Sequence, residues 1–253
     1  MKRILVFIAF AALMCSCNYT INTKKLSGVI LTKEYDVSRT YKTLKVSQAV
    51  NVVCSPSVKE LTVIADSVVL DDFAFSCEDG NLVIGRKENT TTIYNGIGSI
   101  DVVVPVSRFL NSVSISEASS VKFGELIRAV DFTAVVGTAS KFEAEMQVMN
   151  LTLTVTEASA ANLSGIVSRQ LMCTLTTASK LSSDDSHLEA KNAYMNVSGA
   201  SKAVVFCDDE LSGTLSGASY LRYFGECECS VSVAGASKLI SPADKPSKGL
   251  LSI

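Results

Sequence analysis

From Asn111 onward, apolar and small polar residues alternate with a period of two, break, and resume about every 20 residues. The breaks fall at Ala-Ser pairs whose alanines are Ala118, Ala139, Ala158, Ala178, Ala200, Ala218 and Ala236, at steps of 21, 19, 20, 22, 18 and 18 residues. Three residues before each alanine stand Ile115, Val136, Val155, Leu175, Val197, Leu215 and Val233, all apolar. Two residues earlier stand Val113, Ala134, Leu153, Cys173, Met195, Gly213 and Val231. The positions between are mostly small and polar, such as Ser114, Thr154, Thr174, Asn196 and Thr214. Period-two alternation predicts a β-strand with one buried face in every unit. Apolar residues resume three past the alanine, at Val121, Phe142, Ala161, Leu181, Ala203, Leu221 and Leu239. The Ala-Ser pair therefore reads as a bend between two strands, with the alanine small enough to sit inside a tight corner. Glycine precedes the alanine in the last three units, where it permits a positive φ.

One unit of this length cannot close a core, so each apolar face needs the next coil to cover it. Equivalent residues of successive coils are then expected about 4.8 Å apart in parallel register. The fold class is all-β: a parallel β-helix or β-solenoid with coils of about 20 residues and less regular coils at its N-terminal end. An up-and-down barrel or a sandwich also accommodates short strands, but neither asks for the same small pair at the same place in every unit. Stacked serines at the corner are candidates to hydrogen-bond along the ladder.

The repeated Gly-Ala-Ser-Lys of residues 199–202 and 235–238 resembles the bacterial family called putative auto-transporter adhesin, head GIN domain. So does the leading half: residues 41–54, the strands around 61–64 and 82–85, and Val102-Val103-Val104-Pro105. The resemblance spans roughly residues 38–241. Glu or Thr stands where that family carries Gly before the first four Ala-Ser pairs. The resemblance implies a parallel β-helix on an envelope protein and supplies no activity.

Taken in order, residues 1–17 read as an export signal: Lys2 and Arg3, then a nearly continuous apolar run from Ile4 to Met14, short for a membrane span. Cys17, preceded by the small Ser16, is placed for lipidation, which turns a soluble domain into an anchored one. The alternative is an ordinary cleaved leader with two incidental cysteines. Residues 18–37 read as a tether and first strand, 38–110 as the strand-rich N-terminal half of the solenoid, 111–241 as the regular repeat, and 242–253 as a C-terminal cap or tail. Leu250, Leu251 and Ile253 are candidates to cover the last coil.

Composition narrows the function. A hydrophobic share of 47% with 19% charged residues suits a well-filled core, and a net charge of −2 gives no reason to expect nucleic acid as partner. Trp is absent and aromatic residues are few, so sugar stacking would fall to Tyr94, Tyr194, Tyr220 or Tyr223. Beyond the leader, Cys54, Cys77, Cys173, Cys207, Cys227 and Cys229 lack zinc-site spacing. Cys173, Cys207, Cys227 and Cys229 read as core, and a Cys54–Cys77 bridge is left open. His187, the single histidine, reads as a surface loop residue. Asp184-Asp185 and Asp208-Asp209-Glu210 read as outward turns. Glu117 and Glu157 share one repeat position two coils apart, about 9–10 Å if coils stack at strand spacing, close to the carboxyl separation of inverting glycosidases; a solvated corner is the plainer reading. Lys141, Lys180, Lys202 and Lys238 follow the Ala-Ser pair and predict a broken basic column, either a guard against strand-edge pairing or a ridge that contacts anions or glycans.

These observations converge on a non-enzymatic, lipid-anchored β-solenoid of the bacterial envelope, facing the periplasm or the cell surface. The membrane is its anchor, and a glycan or an envelope or host protein is its candidate partner. No cofactor is expected. Two rivals are a carbohydrate-active β-helix enzyme using face carboxylates and a periplasmic protein for a lipid or small apolar ligand.

Overall fold

The computed structural model describes residues 22–87, 92–95, 98–181 and 188–241. Cys17, His187, Asp184-Asp185 and the segment 242–253 lie outside the described residues. The chain is nearly all β-strand, wound into about six stacked parallel turns. The solenoid expected from the repeat is the fold observed.

The first half supplies β1 (Asn22–Lys25), β2 (Ile30–Tyr35), β3 (Thr43–Val46), β4 (Val50–Ser55), β5 (Leu61–Asp66), the short helix α1 (Ser67–Leu70), β6 (Phe73–Glu78), β7 (Asn81–Arg86), β8 (Thr92–Asn95) and β9 (Ile100–Pro105). The repeat begins with β10 (Ser112–Ile115), β11 (Ser120–Phe123), β12 (Ile127–Val136), β13 (Lys141–Val155) and β14 (Ala160–Leu175). It continues with β15 (Lys180–Leu181), β16 (Leu188–Val197), β17 (Lys202–Leu215), β18 (Tyr220–Phe224), β19 (Glu228–Val233) and β20 (Lys238–Ile240).

Two long parallel ladders run the length of the coils. The ladder before the corner stacks β7, β3, β10, β12, the ends of β13 and β14, β16, the end of β17, and β19. The ladder after it stacks β9, β4, β11, the starts of β13 and β14, β15, the start of β17, β18 and β20. Inward residues form columns of complementary size. Phe142, Ala161, Leu181, Ala203 and Leu221 alternate large and small in one column, and all are buried. In another, Met195 stacks on Gly213, whose φ is +125°; a Cβ there would meet the Met195 carbonyl oxygen at 2.1 Å. Glycine at that otherwise apolar position is a close backbone approach.

The N-terminal end is closed by reversal of strand direction. β6 pairs antiparallel with β7, β5 with β9, and β2 with β5. Antiparallel strands and α1 thus cover edges that would otherwise template pairing. Asp66 ties this cap together: its carboxylate accepts the N–H groups of Ser27, Gly28 and Val68 and the Ser27 hydroxyl at 2.8–3.2 Å. Burial alone would raise its pKa, and these hydrogen bonds outweigh it and hold the carboxyl below its usual value. At the other end, inward positions open. Val233 is 46% exposed, whereas its stacked neighbour Leu215 is fully buried. Cys229, read as core from its parity, is exposed for the same reason: it faces inward in the last described coil, with no described coil above it.

The corner has a more specific geometry than a bend at Ala-Ser. The turn is made by the alanine and the residue before it. From Gln48-Ala49 to Gly217-Ala218, seven corners place both residues at φ between +54° and +66°. Four of these corners set Glu117, Thr138, Glu157 or Thr177 in the left-handed region, which disfavours side chains with a Cβ by about 1–2 kcal/mol per residue. What holds them there is a hydrogen bond from each alanine N–H to the carbonyl of the residue before alanine in the next coil, at 2.7–2.9 Å. The alanines at these corners face solvent, which corrects the expectation that they fill the inside. The serine turns inward instead: Ser119, Ser140, Ser159, Ser179, Ser201 and Ser219 are all buried.

Those serines solve a backbone problem. The N–H of the residue after alanine points into the coil, where an unpaired donor is costly. The hydroxyl of the following coil accepts it: Ser119 N–H to Ser140 Oγ at 3.2 Å, Ser140 to Ser159 at 3.1 Å, Ser179 to Ser201 at 3.1 Å and Ser219 to Ser237 at 3.2 Å. Because these serines serve the coil before their own, the first coil with such a corner needs none. That coil has Val50 at this position, and Val50 N–H is accepted by Ser119 Oγ at 3.3 Å.

Candidate functional site

Since the inward columns are filled by packed side chains, binding chemistry falls to the outer faces. Beside a partly acidic column of Asp131, Asn150, Gln170, Asn192, Glu210 and Glu228, the ladder before the corner presents two further outward columns. One runs Thr43, Ser112, Thr133, Thr152, Met172, Tyr194, Ser212 and Ser230, and the other Lys45, Ser114, Val135, Thr154, Thr174, Asn196, Thr214 and Ser232. Adjacent coils lie about 4.8 Å apart and alternate residues of one strand about 6.6 Å apart, so this face is a grid of small hydroxyl groups. Neighbours within it hydrogen-bond, as Thr214 Oγ1 does to Asn196 Oδ1 at 2.9 Å.

The ladder after the corner carries the predicted lysines. Lys141, Lys180, Lys202 and Lys238 are exposed and occupy one column, in the order Asn51, Ser120, Lys141, Ala160, Lys180, Lys202, Tyr220, Lys238. Lys180 and Lys202 are direct neighbours, Ala160 separates Lys141 from Lys180, and Tyr220 separates Lys202 from Lys238. Lys141 is ion-paired to Glu143, which also meets Lys122 at 3.3 Å. The hydrogen bond from Lys141 is the main reason the Glu143 carboxyl sits below its ordinary pKa.

The other candidate chemistry is dispersed. Glu117 and Glu157 stand in one exposed corner column with Thr138 between them, and Thr138 Oγ1 donates to Glu157 Oε2 at 2.7 Å. Both carboxylates are exposed at the corner, and neither lines a principal cleft among the described residues. Asp208, Asp209 and Glu210 are not a turn: they lie within β17, where one extra residue relative to β16 is absorbed as a bulge. An acidic run reads as a turn by composition, but long parallel pairing on both sides keeps it extended. Asp209 pairs with Lys191 at 3.5 Å. Cys54, Cys77, Cys173, Cys207, Cys227 and Cys229 are free thiols. Burial pushes Cys54 and Cys173 well up and Cys207 to about 12, so all three are protonated at neutral pH and poor nucleophiles.

Sequence reasoning missed two features of the N-terminal half. Gln48-Ala49 is a corner of the same left-handed type, hidden because Val50 replaces the marker serine. Arg86 secures it, donating from its N–H to Gln48 Oε1 at 2.5 Å and from Nε to Gln48 O at 3.0 Å, while its guanidinium lies 5.5 Å from the Tyr94 ring centroid. The second feature is the β9–β10 turn, on which Arg108 and Phe109 project beside two shallow clefts. No local motif marks it, because the residues that build it come from separate coils.

Solved structures share this architecture. A putative adhesin of Bacteroides fragilis superposes with a TM-score of 0.70 at 13% identity, over 86% of this chain and 99% of that one. A putative lipid binding protein of Parabacteroides distasonis gives 0.66 at 17% identity, over 87% and 99%. A putative adhesin of Parabacteroides merdae gives 0.60 at 16% identity, over 87% and 99%. At such identities the likeness is one of fold. No curated protein sequence matches the chain. The family model described as putative auto-transporter adhesin, head GIN domain, matches residues 40–227, which begin beside the first corner and end in the last coils. With stacked left-handed corners running through that whole span, the chain belongs to the putative auto-transporter adhesin, head GIN domain family.

Proposed function

We propose that the chain is a non-enzymatic binding protein of the bacterial envelope, held to the outer membrane by lipid on Cys17 and offering the outer faces of its solenoid to a glycan or an envelope or host protein. The observation that carries the proposal is the hydroxyl-rich pair of columns on the ladder before the corner, repeated coil after coil. A hydroxyl-rich surface repeated along stacked coils suits contact with an extended partner, and family membership supports an adhesin-like or binding role. Of the rival readings, glycoside hydrolysis would need the two carboxylates to flank an enclosed bond, whereas Glu117 and Glu157 are exposed with Thr138 between them.

Protease shaving of intact cells expressing the full chain, beside cells expressing Cys17→Ala, tests this. Cleavage on intact cells that is lost from the membrane fraction with Cys17→Ala is the expected result. Protection until the outer membrane is opened would overturn a surface role, and membrane retention of Cys17→Ala would overturn the lipid anchor.

A further inference from the structure

Two clefts adjoin at the β9–β10 turn, where the irregular half of the chain meets the regular coils. One, of about 240 Å³, lies between Arg108 and the segment bearing Glu125 and Arg128. The other, of about 340 Å³, lies between Phe109 and Arg39. Arg108 lines both, so three guanidinium groups surround the pair. Among the described residues none of the three is in an ion pair, and Glu125 is the one carboxylate lining either cleft. The lysine column differs in this respect, since Lys141 is already matched by Glu143.

The turn that carries Arg108 and Phe109 is pinned from beneath. Ser107 is buried; its hydroxyl donates to Tyr41 O at 2.6 Å and accepts the Phe109 N–H at 3.2 Å. The fully buried Tyr41 returns a hydrogen bond from its own hydroxyl to Pro105 O at 2.8 Å. Above this support the Arg108 guanidinium lies 4.8 Å from the Phe109 ring centroid, and Phe109 stays 44% exposed.

We propose that these clefts bind an acidic saccharide, a chain of sugar rings bearing carboxylate or sulfate groups. This deepens the binding role above and rests on it. A guanidinium is planar, permanently charged and shaped to meet two oxygens of one carboxylate or sulfate. Three of them spaced over adjoining clefts match a polymer with repeated charges better than a single small anion. Phe109 offers an apolar ring to the C–H face of a pyranose. The pinned turn keeps Arg108 and Phe109 in place before the ligand arrives, which lowers the entropy lost on binding. Small clefts with a few convergent polar groups are the usual form of such sites.

Calorimetric titration of the purified full chain tests the proposal, using a short oligogalacturonate, the same oligomer methyl-esterified, a chondroitin sulfate oligosaccharide and a neutral maltooligosaccharide. The expected result is binding of one or both acidic probes, weakened by added salt, and no binding of the esterified or neutral ones. Arg108→Ala and Arg128→Ala should each weaken it about tenfold or more, the loss of one charge-assisted contact. Lys33→Ala, at an exposed cation that lines neither cleft, should leave it unchanged, and urea midpoints should show every variant folded. Failure of both acidic probes to bind, equal binding of the esterified oligomer, or binding that survives combined replacement of Arg39, Arg108 and Arg128 by alanine would overturn the proposal. Cell shaving reads the envelope role separately, so a failure here is distinguishable from a failure of that reading.

Discussion

Replacing Ser140 by alanine removes the acceptor that Ser119 N–H uses at 3.2 Å, and both residues are buried. A buried donor left unpaired costs about 1–3 kcal/mol. With a urea m-value of about 2–3 kcal/mol/M, a loss of 2 kcal/mol lowers the midpoint by roughly 0.7–1 M. Ser219→Ala is the matched control. Ser219 Oγ is buried with no hydrogen-bond partner among the described residues, so its removal should be neutral or slightly stabilising. Hydrogen exchange adds a directional signature. In Ser140→Ala the amide that gains exchange should be Ser119, one coil earlier, because Ser140 keeps its own bond to Ser159 Oγ at 3.1 Å. Circular dichroism in urea gives the midpoints, and exchange read residue by residue locates the opening. Equal destabilisation by the two variants, or faster exchange at Ser140 with Ser119 unchanged, would refute the offset serine ladder.

Other consequences are open to direct measurement. Glu117→Gly relieves a left-handed Cβ worth about 1–2 kcal/mol and adds about 0.5–1 kcal/mol of chain entropy, so thermal melting should show a net gain of about 0.5–1 kcal/mol. Gly165→Ala should destabilise the chain by more than about 3 kcal/mol or abolish soluble expression, since its φ is +103° and a Cβ would sit 2.0 Å from Met146 O. Asp66 has a depressed pKa, so its contribution is complete above the unfolded value of 3.8 and is lost as pH falls through the lower folded value. Amides of Ser27 and Gly28 should therefore exchange faster in acid, and Asp66→Asn should show fast exchange already at neutral pH. Tyr41→Phe leaves Pro105 O without its donor; it should cost about 1–3 kcal/mol in urea and weaken acidic-saccharide binding without touching an arginine.

The repeat was legible because its physics is local and periodic. Alternation at period two marks which residues face inward, and a small pair about every 20 residues marks where each coil turns. Those two signals suffice for parallel stacking, since one coil cannot bury its own apolar face. Where periodicity lapsed, so did the reading. Gln48-Ala49 escaped notice because no corner of this type precedes it, so no N–H there calls for a serine and Val50 stands in its place. The acidic run in β17 was mistaken for a turn because composition reports polarity, while the neighbouring coils decide extension.

By itself the chain determined the all-β solenoid, its inward columns and the column of lysines. Tertiary structure alone decided the rest, because the deciding contacts run between coils. Stacking sets the left-handed φ of residues as ill-suited to it as Thr138, since the alanine N–H of one coil needs the carbonyl of the next. It sets Lys122 against Glu143 of the next coil, while Arg39, Arg108 and Arg128, far apart in the chain, come to adjoining clefts. A side chain's inward or outward sense follows from its own strand, but the company it keeps follows from the coil above and the coil below.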